Sequence, residues 1–393
     1  MMNKNEWKKV KLGDIGEIIT GITPSTSNKN FYNSNDIPFY KPNDLLDKNI
    51  KVLNEASAYI SNSAKSKAKI VKEKSLLVTC IGIIGKVAII NKEGAFNQQI
   101  NCIIPKESIC DLNYLAYAIK NKQKYMQQIA NAAIVPIINK TQFSNIEILL
   151  PNIEIQKIIS KKLNILQNIL EKQSQQLFEL EKLVKFQFLK IFGESKTNIK
   201  NWEIKKLEDI CFVGSSKRVF INEIVEKGIP FYRGTEIGKL AVGEDILPTL
   251  FITKEHYEIL CKISGVPAKG DLLLPSICPD GRIWLVDKDT PFYFKDGRVL
   301  WIHPKDNVID SIYLLYSLKE KFISDYHNIA SGTTFKELKI FILKNLKIMY
   351  PPIELQNKFA EFVKQVDKSK VELQKSIDET QLLFDSLMDR YFG

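Results

Sequence analysis

Two stretches of the chain, residues 152–192 and 353–392, contain neither glycine nor proline, and their apolar residues recur at alternating steps of three and four. In the first the series runs Ile159, Leu163, Leu166, Leu170, Gln173, Leu177, Leu180, Val184, Gln187, Ile191. In the second it runs Phe359, Val363, Val366, Lys370, Leu373, Ile377, Thr380, Phe384, Leu387, Tyr391. This is the heptad pattern of two helices that pack on one another, with a few polar members that specify register. At 1.5 Å per residue each helix is roughly 60 Å long, which argues against two independent amphipathic helices, each lying on its own domain. Equal length and matched register predict an antiparallel pair. Pro151 and Pro351-Pro352 mark the helix starts.

Ahead of each helix the pattern shortens to apolar runs punctuated by Gly, Pro and Asn, the signature of strands and turns. The runs are IPFYK, SLLVTCIG, GKVAII and QINCIIP in one half, and IPFYR, GDLLLPSI, GRIWLV and RVLWIHP in the other. A helix capped by Asp111 or Asp310 follows each set. The halves are copies. Trp7-to-Ile15 matches Trp202-to-Ile210, Ile37-Pro38-Phe39-Tyr40-Lys41 matches Ile229-Pro230-Phe231-Tyr232-Arg233, and Phe192-Gly193 matches Phe392-Gly393, at offsets of 195, 192 and 200. Such drift means small loop insertions in a collinear repeat. The expected fold class is α+β: two homologous mixed α/β domains separated by a pair of long antiparallel coiled-coil helices, with a pseudo-two-fold repeat. The expected boundaries are domain 1 at 1–150, helix at 151–193, linker at 194–201, domain 2 at 202–350 and helix at 351–393.

Composition narrows the function. Across 393 residues, 56 Lys+Arg against 45 Asp+Glu give a net charge of +11, which favours a polyanionic partner without naming one. The six cysteines are scattered, with no Cys-x-x-Cys pair, as expected of a reduced cytoplasmic protein without a structural zinc. The most apolar run, Leu76 to Ile90, is short and broken by Lys86, so it reads as paired strands and no membrane span is expected. MMNKNEWKKVKL at the N-terminus lacks the apolar region of a signal peptide.

Catalytic patterns are weak. Tyr350-Pro351-Pro352-Ile353 lacks the leading Asn or Asp and the trailing aromatic of an adenine methyltransferase motif. Asp280 with Glu337-Leu338-Lys339 imitates a Mg2+-nuclease set, but Glu-x-Lys also occurs at Glu6-Trp7-Lys8. Gly82-Ile83-Ile84-Gly85-Lys86 is too short for a P-loop, and His256, His303 and His327 show no paired nucleophile. Neither a catalytic nor a metal site is expected in this chain.

The duplicated order of motifs resembles the specificity (S) subunit of type I restriction-modification systems. The residues that carry the resemblance are Trp7, Leu12, Asp14-Ile15, Gly21-x-Thr23-Pro24, the pentapeptide at Ile37, Asn97-Gln98 and Pro151-Asn152-Ile153-Glu154-Ile155-Gln156, with their second-half counterparts. It spans the whole chain. Ile155-Gln156 and Leu355-Gln356 depart from the family's Glu-Gln, and the second half lacks both Gly-x-Thr-Pro and Asn-Gln. The resemblance implies two target-recognition domains, each reading one part of a split double-stranded DNA sequence. It also implies conserved helices that dock methyltransferase (M) subunits, two of them, and recruitment of restriction (R) subunits. S-adenosylmethionine, ATP and Mg2+ then belong to those partners, and no cofactor to this chain. A tandem-domain adaptor that binds protein without DNA specificity is the alternative.

Turns at strand ends within the repeat are the places from which side chains enter a groove. They nominate Lys41, Asn43, Lys86, Asn139 and Lys140 in the first domain, and Arg233, Thr235, Arg282, Ser331, Thr333 and Lys336 in the second. The exchanges Lys41 to Arg233 and Lys86 to Arg282 keep charge while adding a fork that grips guanine, as two readers of different bases require. Each is equally a solvated strand-end cation. Lys65, Lys67 and Lys69 line one face of an extended segment, as a phosphate track or simply as solvated residues, and Asn97-Gln98 reads either as a DNA contact or, preferred here, as a structural amide pair bonding backbone. Helix packing is assigned to Leu163, Leu166, Leu170, Leu177, Leu180, Val184, Val366, Leu373, Ile377, Phe384 and Leu387.

Overall fold

The computed structural model describes residues 7–47, 49–130, 135–331 and 336–393. The chain divides into two compact units, residues 1–175 with 374–393 and residues 176–373. Each therefore holds one globular domain, the first half of the long helix that follows it and the second half of the other helix.

The pentapeptide builds the same strand in both units. Ile37–Tyr40 pairs antiparallel with Tyr59–Ile60 and, further along, parallel with Gly94–Phe96. Ile229–Tyr232 pairs antiparallel with Phe251–Ile252 and parallel with Tyr293–Phe294. Phe39 and Tyr40 are fully buried and Phe231 is nearly so, because alternating and consecutive aromatics face apolar layers on a strand covered from both sides. Lys41 and Arg233 come next, and both are exposed. The repeated words are thus core strand followed by a cation at its mouth.

A second sheet carries the core. In the first unit Gly16–Thr20, Ile100–Pro105, Ser75–Thr79, Val87–Ile90 and Lys51–Leu53 lie in that order; in the second Cys211–Gly214, Val299–Pro304, Leu272–Pro275 and Trp284–Leu285 lie in the corresponding order. Leu112–Asn121 and Ser311–Ile329 pack on these sheets, and the carboxylates of Asp111 and Asp310 accept the amides of Tyr114 and Tyr313 as caps.

The long helices span Ile153–Phe192 and Ile353–Phe392. Within the first unit the core joins Ile159 and Leu163 to Tyr391 and Phe392, while Gln173 Nε2 donates to Ser376 Oγ at 2.8 Å. Rising numbers on one helix meet falling numbers on the other, so the segments run antiparallel. In the second unit Phe188 and Phe192 meet Phe359, and Val184 shares a core with Val363 and Val366, again antiparallel. Leu163, Val184 and Val366 are buried; Leu166, Leu170, Leu177, Leu180, Leu373, Ile377, Phe384 and Leu387 are half-buried.

The heptad phase departs from expectation at the end of the first helix. Phe188 and Phe192 are buried there, and Gln187 and Ile191 are only half-buried. The last turns face the domain's aromatic residues as well as the partner helix, with Phe188 stacked on Tyr313 at 6.0 Å and Phe192 edge-on to it at 4.7 Å. A wider contact favours the globular-helix spacing of 3.6 over the two-helix seam.

Candidate nucleic-acid interface

Three backbone hydrogen bonds bring the strand ends together, and each is made twice. Asn97 N–H donates to Tyr40 O at 3.2 Å, as Lys295 does to Tyr232 O at 2.9 Å; Cys80 donates to Gln99 O at 2.8 Å, as Ser276 does to Arg298 O at 2.9 Å. Ile138 N–H then donates to Cys80 O at 2.8 Å, as Leu338 does to Ser276 O at 2.7 Å. Both units therefore hold the pentapeptide's end, the end of a central strand, the entry to the next strand and the segment before residue 138 or 338 in one backbone cradle.

The side chains mounted on it differ. In the second unit the cradle is a cleft of about 340 Å3 lined by Arg233, Thr235, Ser276, Lys295 and Arg298, among others. The Arg233 fork lies on the Glu236 carboxylate, Nη2 to Oε1 2.7 Å and Nε to Oε2 3.1 Å, with Thr235 Oγ1 donating to Oε2 at 3.0 Å. Burial pushes the Glu236 carboxyl up, but the Arg233 and Thr235 hydrogen bonds outweigh it and hold its pKa at about 2. Arg298 Nη1 meets Glu337 Oε1 at 2.5 Å, and Ser276 Oγ donates to the same oxygen at 2.9 Å. Each carboxylate fixes one face of a guanidinium while more than two-fifths of its side chain stays exposed, 47% for Arg233 and 62% for Arg298. Such a fork has lost its rotamer freedom before it meets a ligand.

In the first unit the same positions hold Lys41, Cys80, Asn97 and Gln99. Asn97 Nδ2 donates to Gln99 Oε1 at 2.9 Å and Gln99 N–H to Asn97 Oδ1 at 3.1 Å, a closed neutral pair. The Lys41 backbone is held by Asp44, its N–H to Oδ2 at 2.7 Å, and Lys86 Nζ reaches Pro42 O at 3.5 Å, so Lys41, Asn43 and Lys86 share one mouth.

The remaining nominated residues divide between exposed and structural places. Arg282 is exposed and paired with Asp280 at 2.7 Å. Lys140 is exposed, whereas Asn139 caps the short helix that Lys140 begins, accepting the Gln142 amide at 2.8 Å. Ser331 pairs with Glu337 backbone to backbone at 2.8 and 3.0 Å, and Lys336 O accepts the Tyr326 hydroxyl at 3.1 Å. Thr333 lies outside the described residues. The lysine track is corrected: residues Asn62–Lys67 form a 3-10 helix, with Ser61 and Ser63 donating to Asn30 O, and Lys65 pairs with Glu93 at 2.8 Å. Hydroxyl anchors override the extended reading at Lys65 and Lys67, and Lys69 lies beyond the helix they share. Lys295, Arg298 and Glu337 were absent from the sequence nomination. Alignment of the strands Ile100–Pro105 and Val299–Pro304 was the signal for Arg298, which immediately precedes the second strand just as Gln99 precedes the first.

Asp280 and Glu337, the carboxylates of the nuclease-like pattern, are each engaged by an arginine, and no group of three potential metal ligands occurs among the described residues. Nor, among those residues, is any helix long and apolar enough to cross a membrane.

One cradle built twice, with different donors on each copy and a long helix after each, defines a tandem-domain protein with a duplicated candidate site. The chain belongs to the family of the type I restriction modification DNA specificity domain, whose model matches residues 4–182 and 199–380. It is 26% identical over 408 residues to the MjaIX specificity subunit of a type I restriction enzyme from Methanocaldococcus jannaschii, spanning 98% of this chain and 92% of that protein. A shorter match of 35% over 158 residues, 40% of this chain and 34% of the relative, is to the HindI specificity subunit of a type I restriction enzyme from Haemophilus influenzae. The fold is that of the S subunit of a type I restriction-modification system from M. genitalium, with TM-score 0.62 at 17% identity over 100% of this chain and 98% of that one.

Proposed function

We propose that this chain is the sequence-reading subunit of a type I restriction-modification complex, each unit reading one half of a bipartite duplex target. The observation that carries the reading is the twice-built cradle: identical backbone bonds present two arginines and a lysine in one unit, and a lysine beside a closed amide pair in the other. Phosphate contacts position a protein on DNA and base edges specify the sequence. A shared scaffold with exchanged donors meets both needs, keeping the docking constant while changing the bases read. Net charge of +11 supplies the non-specific attraction.

The chain makes and breaks no bonds of its own on this reading. Two methyltransferase subunits, with S-adenosylmethionine, dock on the helices, and restriction subunits with ATP and Mg2+ join them in the cytoplasm. The test is methylation-site sequencing of duplex libraries treated with the chain and its partner methyltransferase together. The expected product is methylation within a split target of two unlike half-sites at one fixed spacing. Methylation in a single contiguous motif, or methyl transfer by this chain alone, contradicts the proposal.

A further inference from the structure

The Gly-x-Thr-Pro and Asn-Gln motifs of the first unit have no sequence counterpart in the second, yet the structure puts a pair of side chains at the same place in both. Gly16–Thr20 pairs with Ile100–Pro105, Pro105 opposite Gly16, as Cys211–Gly214 pairs with Val299–Pro304, Pro304 opposite Cys211. Counting on from Gly16 and Cys211 sets Thr23 level with Arg218. Counting on from the equivalent amides of Asn97 and Lys295 sets Gln98 level with Asp296. In the first unit the Thr23 hydroxyl donates to Gln98 Oε1; in the second Arg218 Nε donates to Asp296 Oδ2 at 3.2 Å. One side chain of each pair projects into solvent, Gln98 in the first unit and Arg218, 69% exposed, in the second.

Both loops are pinned. A Cβ on Gly21 would stand 2.1 Å from the Asn97 carbonyl oxygen, so that close approach requires glycine, and Tyr32 OH donates to Pro24 O at 2.6 Å. In the second unit Ser216 Oγ donates to Phe294 O at 2.6 Å and Lys217 N–H to Tyr293 OH at 2.9 Å. The exposed side chains therefore leave rigid backbones and carry one fixed hydrogen bond each.

Building on the reading of the chain as a tandem DNA reader, we propose that Gln98 and Arg218 are further base-discriminating side chains beside the cradle, aimed by Thr23 and Asp296, and that they select adenine in the first unit's half-site and guanine in the second's. The chemistry follows from what the aiming bond leaves free. A carbonyl oxygen has two lone pairs, so Gln98 Oε1 accepts from Thr23 and still accepts from adenine N6, while Nε2 donates to N7. Arg218 uses Nε on Asp296 and keeps both terminal nitrogens for guanine O6 and N7. Positioning and reading change sides between the copies: the reader sits before the strand in one and after the other strand in the second.

The experiment is methylation of a randomised duplex library by the full chain in complex with its partner methyltransferase, for the natural chain and for Gln98→Ala, Thr23→Val, Thr23→Ser and Arg218→Ala, with thermal melting of each. Gln98→Ala is expected to flatten an adenine preference at one position of one half-site by on the order of tenfold to a hundredfold, leaving the other half-site intact. Thr23→Val should weaken the same position, and Thr23→Ser should restore it. Arg218→Ala should flatten one guanine in the other half-site. A bipartite preference in the natural complex that Gln98→Ala and Arg218→Ala leave unaltered, or weaken evenly at every position, overturns this inference alone. The same holds if the relaxed positions carry other bases. Absence of any bipartite preference in the natural complex overturns the functional reading, and this inference falls with it.

Discussion

The side-chain oxygen of Gln156 accepts the backbone N–H of Asp111 at 2.9 Å, joining the first turn of a 40-residue helix to the cap of the domain helix it leaves. Gln356 does the same for Asp310 at 3.0 Å. Both glutamines are fully buried, and their amide nitrogens donate to the carbonyls of Pro151 and Pro351 at 2.8 Å each. This is the physical content of the repeated proline-to-glutamine motif: it locks helix to domain with bonds that water cannot replace. Gln156→Leu strands the Asp111 amide and the carbonyls of Pro151 and Ile109, and should lower stability by about 1–3 kcal/mol in urea unfolding. Gln356→Leu should cost a similar amount. A loss below about 0.5 kcal/mol for both would show that the motif is not a structural lock.

Gln173 reaches Ser376 through its nitrogen, but its buried oxygen has no hydrogen-bond partner among the described residues. An unpaired buried carbonyl is costly, so the double variant Gln173→Leu, Ser376→Ala should raise the unfolding free energy by about 1 kcal/mol. The price of that gain is a helix seam with less specified register, visible as broader exchange cross-peaks in this stretch. Unchanged or lower stability contradicts the argument.

The Arg233–Glu236 pair gives a pH dependence with a defined sign. Glu236 titrates at about 2 in the folded protein, below the ordinary value of 4.5, so its contribution is complete above 4.5 and is lost as pH falls toward 2. Natural chain and Glu236→Gln should therefore differ in melting temperature at pH 6, and the difference should shrink between pH 4.5 and 2. A constant difference across that window would mean that the substitution acts through packing.

Five of the six thiols, Cys80, Cys102, Cys110, Cys211 and Cys278, are buried, and burial pushes each thiol pKa up to about 12. Only Cys261 is partly exposed. Native chain treated with a thiol reagent at pH 8 should react quickly at one site and at the others only on unfolding. Several fast sites would contradict the packing of both cores.

Periodicity disclosed the long helices and the repeat because each depends on residues close in sequence: the three-four steps from Ile159 to Val184 and the shared pentapeptide need no tertiary knowledge. Asp111 and Asp310 were legible for the same reason, since a cap acts over three residues. The candidate interface was only half legible. Arg233 stood out at a strand end, but Arg298 and Ser276 acquire meaning only when Glu337, far along the chain, joins them. The lysines at 65, 67 and 69 misled because a hydroxyl pair at Ser61 and Ser63 decides the local helix against extension. The second unit has helices Gly234–Leu240 and Lys254–Ser264 where the first has 3-10 helices at Pro42–Asp44 and Asn62–Lys67, a difference that the aligned strands on either side do not encode.

The central claim is that each globular domain reads its own half-site. Exchanging residues 202–350 for the matching domain of a relative and sequencing the sites methylated by the chimera in complex with the partner methyltransferase tests it most directly. The account predicts that one half of the recognised sequence changes to that of the donor, while the other half and the spacing stay as they were. A chimera that rewrites both half-sites together would show that the domains read DNA jointly, and would contradict the account.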